Sequence, residues 1–318
     1  MSQTPFMVTV LDDYQAVAGG SADWAALGPD VEVRFCHEHE SDEDRLVERL
    51  ADSHAVVAMR ERTPLSAELL GRLPNLALVV TTGMRNASIT PTPGVTFCGT
   101  RALVSPPVEL TWALILAARR HVVEEGVALR VGDWQTTVGE GLENATLGLL
   151  GLGRIGERVA AVARAFGMRV IAWSENLTDD RARDAGASRV SRERLFKEAD
   201  TVSIHLRLSG RTRGLVGADD LARLGPRSLL VNTSRAEIVD QDALIDALES
   251  GALGGAALDV YNQEPLPADH PLLAAPRTTL TPHLGYVVRQ NYEIFFTDVV
   301  EDIRAFREGR PIRVVEAD

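Results

Sequence analysis

Cysteine is scarce: Cys36 and Cys98 are the only two in 318 residues. Neither has a second Cys or a His at ligand spacing, so no metal site and no thiol chemistry is expected. Both stand in apolar, strand-like runs, where they read as buried thiols of a reducing compartment. Long apolar runs are missing as well. No stretch approaches the ~18 residues of a membrane helix. The opening Met1-Ser2-Gln3-Thr4-Pro5 has neither the basic nor the apolar region of a signal peptide, and a cytoplasmic protein is the expectation. Basic charge is the third shortage, with 33 Lys and Arg against 45 Asp and Glu and a formal net charge of -12. A nucleic-acid footprint needs a basic patch, and an anionic membrane surface attracts one, so neither is expected as a partner.

What is present is an ordinary soluble composition, 45% hydrophobic and 25% charged, over a length that normally makes two domains rather than one oversized core. The first ~95 residues alternate short apolar runs with amphipathic stretches, the pattern of a parallel α/β sheet. Strands are expected at Met7–Leu11, Val31–Cys36, Ala55–Met59, Leu76–Val80 and Val95–Cys98. Ser41 and Asp44 resemble a capping box opening a helix over Asp42–Ala51. Residues Pro107–Arg120 are apolar nearly all round, which predicts a helix buried on most sides, between domains or at a subunit contact. A second α/β series starts at Thr146, with strands expected at Thr146–Leu150, Arg169–Trp173, Thr201–Ile204, Ser228–Val231 and Gly255–Leu258. A long closing helix over Val287–Glu308 and a short strand at Pro311–Val315 complete the reading. No repeat or low-complexity tract is evident.

The sharpest motif is Gly151-Leu152-Gly153-Arg154-Ile155-Gly156. Alone, GxGxxG says little. Here it follows the apolar run Leu147–Leu150 and opens the helical run Arg154–Phe166, the context that gives it a mechanism. Gly151 permits the tight turn, Gly153 lets backbone approach a pyrophosphate, and Gly156 lets helix and strand pack closely. The helix N-terminus then offers unpaired N–H groups to phosphate. An acid holding the ribose hydroxyls is expected ~20 residues further on. The chain supplies Ser174 and then Glu175. A carboxylate there accepts from ribose hydroxyls and repels a 2'-phosphate, so the cofactor is read as NAD, with NADP not excluded.

Three later segments each place a charged or titratable side chain just past a strand, where open α/β sheets bind ligands. They are Val231-Asn232-Thr233-Ser234-Arg235, Leu258-Asp259-Val260-Tyr261-Asn262-Gln263-Glu264-Pro265 and Thr281-Pro282-His283-Leu284-Gly285-Tyr286. Arg235, Glu264 and His283 are the set that reduction of a 2-keto acid requires. A guanidinium holds the substrate carboxylate bidentately. An imidazole donates a proton to the carbonyl oxygen as hydride arrives and takes it back in reverse. A carboxylate beside it fixes its tautomer and favours the imidazolium. Arg235 alone reads as a surface arginine and Glu264 alone as a capping acid. Their joint occurrence downstream of a dinucleotide fingerprint is what makes the chemistry specific.

These segments, with Asp200-Thr201-Val202-Ser203-Ile204-His205-Leu206 and Pro282-His283-Leu284-Gly285, closely resemble the D-isomer-specific 2-hydroxyacid dehydrogenase family. The resemblance runs from Val8 to about Val315 and is most specific between Leu147 and Gly285. It implies that Arg235, Glu264 and His283 are the catalytic three. It further implies a cofactor site lined by Arg154, Ile155, Ser174, Leu206, Thr212, Thr233, Asp259 and Gly285, with Ser234 beside them. Asp259 would hold the nicotinamide carboxamide, and Arg154-Ile155 the pyrophosphate through backbone. His205 reads as a shaping residue and His270 as a loop residue. His37, His39, His54 and His121 have no ligand spacing and no assigned role. Two departures stand out. The segment Thr90-Pro91-Thr92-Pro93-Gly94 is shorter than its family counterpart, and the loop Thr81-Thr82-Gly83-Met84-Arg85-Asn86 carries arginine where many members have glycine.

The expected architecture is α/β, two Rossmann-like domains with doubly wound parallel sheets. A discontinuous, flavodoxin-like substrate domain combines 1–98 with 287–318, and an NAD(P)-binding domain spans 99–286. Cleft closure is expected to bring the N–H groups of Gly83 and Met84 onto the substrate carboxylate with Arg235. Arg60 and Arg85, at strand ends of the substrate domain, are candidates for a second cation facing a distal polar group. The equal alternative is that Arg60 pairs with Glu61 or a helix acid and that Arg85 is solvated at the rim. A homodimer is expected. Two other functions compete with this one. A formate-dehydrogenase-type hydride acceptor pairs its histidine with glutamine, which Glu264 contradicts. A nucleotide-sensing binding protein or corepressor would keep the fold without turnover.

Overall fold

The computed structural model describes residues 4–315, so the opening Met1-Ser2-Gln3 lies outside the described residues. The chain divides into two compact units, Met1–Leu103 with Val287–Asp318, and Val104–Tyr286. The first boundary falls at Leu103 rather than Cys98 for a physical reason. Gly99 completes a strand, and beyond it Arg101 binds Asp298 through its N–H at 2.8 Å and its guanidinium at 2.6 Å.

The first unit holds five parallel strands, β1 (Phe6–Val10), β2 (Val31–Phe35), β3 (Ala55–Ala58), β4 (Leu78–Thr81) and β5 (Thr96–Gly99), in the order β2-β1-β3-β4-β5. Every residue of β3 and β4 is buried, as strands covered by helices on both faces must be. The helix Glu43–Leu50 buries Leu46 and Leu50 at i, i+4 spacing, and its cap is Asp42, not Ser41: the Asp42 carboxylate accepts from the Arg45 N–H. Ser66 caps Ala67–Gly71 in the same way. Cys98 is buried but Cys36 is only half-buried, against expectation, because it follows β2, a strand of partly exposed residues at the sheet's edge. Residues 311–315 form one antiparallel bridge, Cys98 to Val314, rather than a strand. Pro311 has no N–H to give, and Arg313 sits at φ +50, which breaks an extended run. The segment still covers the edge of β5, through Gly99 N–H to Arg313 O and Val315 N–H to Phe97 O.

The second unit holds seven parallel strands: β6 (Thr146–Leu150), β7 (Arg169–Trp173), β8 (Ser188–Arg189), β9 (Thr201–Ile204), β10 (Leu229–Asn232), β11 (Gly255–Leu258) and β12 (Thr278–Leu280). Their order, β12-β11-β10-β9-β6-β7-β8, reverses between β6 and β9. That is the switch point at which doubly wound sheets bind dinucleotides. The apolar helix runs from Ser105 to Arg119, two residues earlier than expected, because Pro106 and Pro107 fit its first turn. It packs Val108, Trp112, Leu114 and Ile115 into the core and leaves Ala113 exposed. The sequence did not announce the next helix, Val122–Arg130, none of whose residues is buried.

Candidate active site

The glycine motif occupies the turn between β6 and the helix Arg154–Ala165. Each glycine has its own reason. Gly151 sits at φ +105, and a side chain on it would lie 2.6 Å from the carbonyl oxygen of His205. A side chain on Gly156 would meet the carbonyl of Gly151, so helix and strand could not approach as they do. Gly153 has extended backbone, and nothing lies within 4 Å of where its Cβ would be. It is also the helix N-cap and supplies no side-chain hydrogen bond. No side chain caps the first-turn N–H groups, and the positive dipole end lies behind them, which fits a pyrophosphate. Past β7, Ser174 is half-buried and Glu175 exposed.

The far wall is tied together by hydroxyls. Ser234 donates to Leu206 O at 2.7 Å, and Thr212 donates to Arg207 O at 2.6 Å. Thr233 and Thr111 share a 2.8 Å hydrogen bond. These residues shape the loops after β9 and β10. Asp259, fully buried after β11, accepts from Thr281 Oγ1 (2.6 Å), Leu284 N–H (2.7 Å) and Gly285 N–H (2.8 Å). Burial raises its carboxyl above the ordinary range, and those donors pull it back.

Arg235, Glu264 and His283 follow β10, β11 and β12, three neighbouring strands of one sheet. His283 Nδ1 lies 2.6 Å from Glu264 Oε2, and Glu264 Oε1 accepts from Tyr261 N–H at 2.9 Å. The carboxylate is thus held at both oxygens. His283 itself stands at φ +54, a left-handed conformation uncommon for a residue with a side chain. Arg235 Nη1 donates to Ser234 O at 2.7 Å, and Asn232 ties the turn by accepting from Ser234 N–H and donating to Arg235 O. Tyr261 donates to Thr281 O at 3.0 Å, joining the ends of β11 and β12. Neither Asn232 nor Tyr261 was singled out in the sequence. Their hydrogen bonds depend on strand adjacency, though both stand inside the quoted segments.

The remaining histidines fall elsewhere. His205 Nε2 pairs with Ser203 Oγ at 2.9 Å, and burial pushes its imidazole down to about 4, so it is neutral at pH 7. His270 caps Pro271–Ala274 by accepting from Leu272 N–H. Among the described residues no group of three His, Cys, Asp or Glu side chains is placed to hold a metal, and no helix is long and apolar enough to cross a membrane.

Residues 112–285 match the model of the D-isomer specific 2-hydroxyacid dehydrogenase, NAD binding domain. The chain belongs to this family. It is 38% identical over 267 residues to a glyoxylate reductase of Aeropyrum pernix, covering 77% of this chain and 78% of that protein. A phosphoglycerate oxidoreductase structure from Vibrio cholerae superposes with a TM-score of 0.90 at 38% identity, covering 96% of this chain and 99% of the other. A putative D-3-phosphoglycerate dehydrogenase structure from Ralstonia solanacearum also gives 0.90, at 36% identity and 97% and 96% coverage. The protein is an NAD-linked oxidoreductase of 2-hydroxy acids, acting on the CH–OH group.

In the first unit of the dehydrogenase, the other predicted residues stand at the carboxyl ends of β3 and β4. Arg60 lies at φ +54, with its Nη1 on Thr82 O at 3.2 Å and its Nε 3.7 Å from Glu61. The pairing with Glu61 is therefore present. The Arg60 guanidinium also lies against Gly83, where any side chain would collide with it. The Gly83 N–H, expected to serve a substrate, donates to Thr100 Oγ1 at 2.8 Å. Met84 and Arg85 are exposed. Asn86 anchors this loop through Arg60 O, Thr81 Oγ1 and Ser88 N–H. A lone Asn in a turn carries no spacing signal, so the role of Asn86 is not legible in the sequence.

Proposed function

We propose that the enzyme interconverts a small 2-keto acid and its D-2-hydroxy acid, with His283 as the acid/base. The 2.6 Å contact between Nδ1 and Glu264 carries this reading. It commits Nδ1 to the carboxylate and leaves Nε2 as the nitrogen for proton exchange. NAD(H), when bound, takes or supplies the hydride. In reduction Nε2–H gives its proton to the carbonyl oxygen. The neutral imidazole left behind keeps Nδ1–H on Glu264, so Nε2 is ready to accept the proton in the reverse direction. Arg235 holds the substrate carboxylate through its planar guanidinium. Arg154, Ile155 and the glycines hold the pyrophosphate, Glu175 the ribose, and Asp259 with Gly285 the nicotinamide side. Ser174, Leu206, Thr212, Thr233 and Ser234 shape the remaining wall.

Met84 and Gly83 are proposed to serve the substrate through their loop, with Gly83 acting by its lack of a side chain. Arg60, held on Thr82 O and Glu61, and Arg85, exposed on that loop, are the candidates to meet a distal anion. Glu264 disfavours the formate-type reaction, and the intact acid/base pair disfavours a sensor without turnover. The free thiols Cys36 and Cys98 accord with a cytoplasmic setting. A homodimer is proposed through 122–138, where Trp134 is 76% and Val138 93% exposed. Val122, Val123, Val127, Leu129 and Val131 in the same segment are exposed as well, and exposed apolar side chains grouped in this way mark contact surfaces.

The test is NADH and NADPH oxidation with glyoxylate, hydroxypyruvate, pyruvate and a phosphorylated 2-keto acid. Turnover of at least one, faster with NADH, is expected. Cofactor binding without turnover across the panel would favour the sensor, and a preference for NADPH would overturn the role of Glu175.

A further inference from the structure

A single hydrogen bond does not fix a ring. The contact between His283 Nδ1 and Glu264 Oε2 sets one distance along one axis, but the imidazole hangs on two side-chain torsions, and one distance leaves a combination of them free. A second contact off the axis is needed to hold the plane and to keep Nε2 in one direction. The second unit contains one. The Tyr286 ring meets the His283 ring at 73°, with centroids 5.5 Å apart, within the favoured range for edge-on aromatic pairs. Tyr286 is 6% exposed, so its ring is a fixed wall rather than a solvated rim.

Backbone makes the contact obligatory. His283 and Tyr286 are joined only by Leu284 and Gly285, and both of those N–H groups bind the Asp259 carboxylate. Thr281, on the other side of His283, binds the same carboxylate through its hydroxyl. His283 N–H closes a tight turn onto Thr281 O, and the residue stands at φ +54. A left-handed conformation at a residue bearing a Cβ persists only where its surroundings over-determine it. Here Asp259 fixes the loop on both sides of the histidine, and the loop delivers the tyrosine ring onto the imidazole.

We propose that Tyr286 is a positioning residue for the acid/base: its ring fixes the plane of the His283 imidazole, while Glu264 fixes the tautomer. This rests on the reading of His283 as acid/base. The ring does this work, not the hydroxyl, so phenylalanine can replace tyrosine and an aliphatic side chain cannot.

The experiment compares Tyr286→Leu, Tyr286→Met and Tyr286→Phe with wild type and His283→Ala, in the full chain with NADH and the best keto acid. Misorientation of a reacting group costs rate rather than binding, so Leu and Met are expected to lower kcat between about tenfold and about a hundredfold. The keto-acid KM, the NADH Kd and the melting temperature are expected to stay near wild type, and Phe is expected to recover most of kcat. Proton NMR gives a readout independent of turnover. The low-field Nδ1–H signal, assigned by its loss in His283→Ala, is expected to persist in Tyr286→Phe and to broaden or move in Tyr286→Leu. If His283→Ala turns over like wild type, the acid/base reading fails and the proposal with it. If His283→Ala is inactive while Leu and Met leave kcat and the low-field signal unchanged, the positioning role alone is refuted. Equal losses in Phe, Leu and Met would likewise refute the ring's role and point to the hydroxyl.

Discussion

A carboxylate 2.6 Å from Nδ1 sets the tautomer of the His283 ring. In Glu264→Gln the hydrogen bond can survive through the amide oxygen, but the charge is gone and the imidazolium loses its partner. The variant is expected to lower kcat with the NADH Kd unchanged, read by steady-state turnover beside a fluorescence titration; an unchanged kcat would mean the carboxylate does not serve the histidine. The residue types behind this chemistry were legible in the sequence, because Arg235, Glu264 and His283 each follow an apolar run at a strand end. What holds them was not. Asp259 clamps Thr281, Leu284 and Gly285, residues 22 to 26 positions away, and Tyr261 joins β11 to β12. Those contacts exist only once strand order is known. The engagement of the Gly83 N–H by Thr100 is of the same kind.

At the scale of elements, two of the motif's three glycines, Gly153 and Gly156, separate binding from packing. An Ala at Gly156 drives a methyl into the carbonyl of Gly151 and pushes the helix off the strand, an overpacking worth roughly 1–3 kcal/mol of stability. An Ala at Gly153 meets nothing within 4 Å. Gly153→Ala is therefore expected to melt like wild type yet bind NADH more weakly, while Gly156→Ala loses both. Calorimetry beside a fluorescence titration reads the difference, and a normal NADH Kd in Gly153→Ala would contradict the cradle. A second prediction concerns the C-terminal strap. Arg313 lies 2.9 Å from Asp302 and 3.0 Å from Glu301, and Asp302 is fully buried. Burial raises the Asp302 carboxyl to about 7. A folded-state value above the unfolded one means the native state binds the extra proton, so this group's contribution is present at low pH and is lost as pH rises from about 4 towards 7. Asp302→Asn is expected to flatten the melting temperature between pH 5 and 8, and an unchanged slope would assign the pH dependence elsewhere. Long elements with clear periods were readable from sequence, several strands to the residue. The two-residue β8 and three-residue β12 were too short to carry a period, and Val122–Arg130 has no buried face to create one.

At the scale of the whole molecule, the doubly wound order of both sheets followed from alternating strand and helix signals, whereas the boundary at Leu103 required the Arg101–Asp298 pair. The exposed 122–138 segment carries the quaternary prediction. Trp134→Glu with Val127→Glu is expected to shift sedimentation from dimer to monomer without unfolding the chain, and a dimer in the double variant would place the interface elsewhere. The central claim is that an NAD-linked oxidoreductase uses His283 to move the proton. Steady-state reduction of its best 2-keto acid by His283→Ala, with NADH affinity measured in parallel, tests it most directly. The account predicts kcat lower by at least ~100-fold at an unchanged NADH Kd; wild-type turnover in the variant would contradict it.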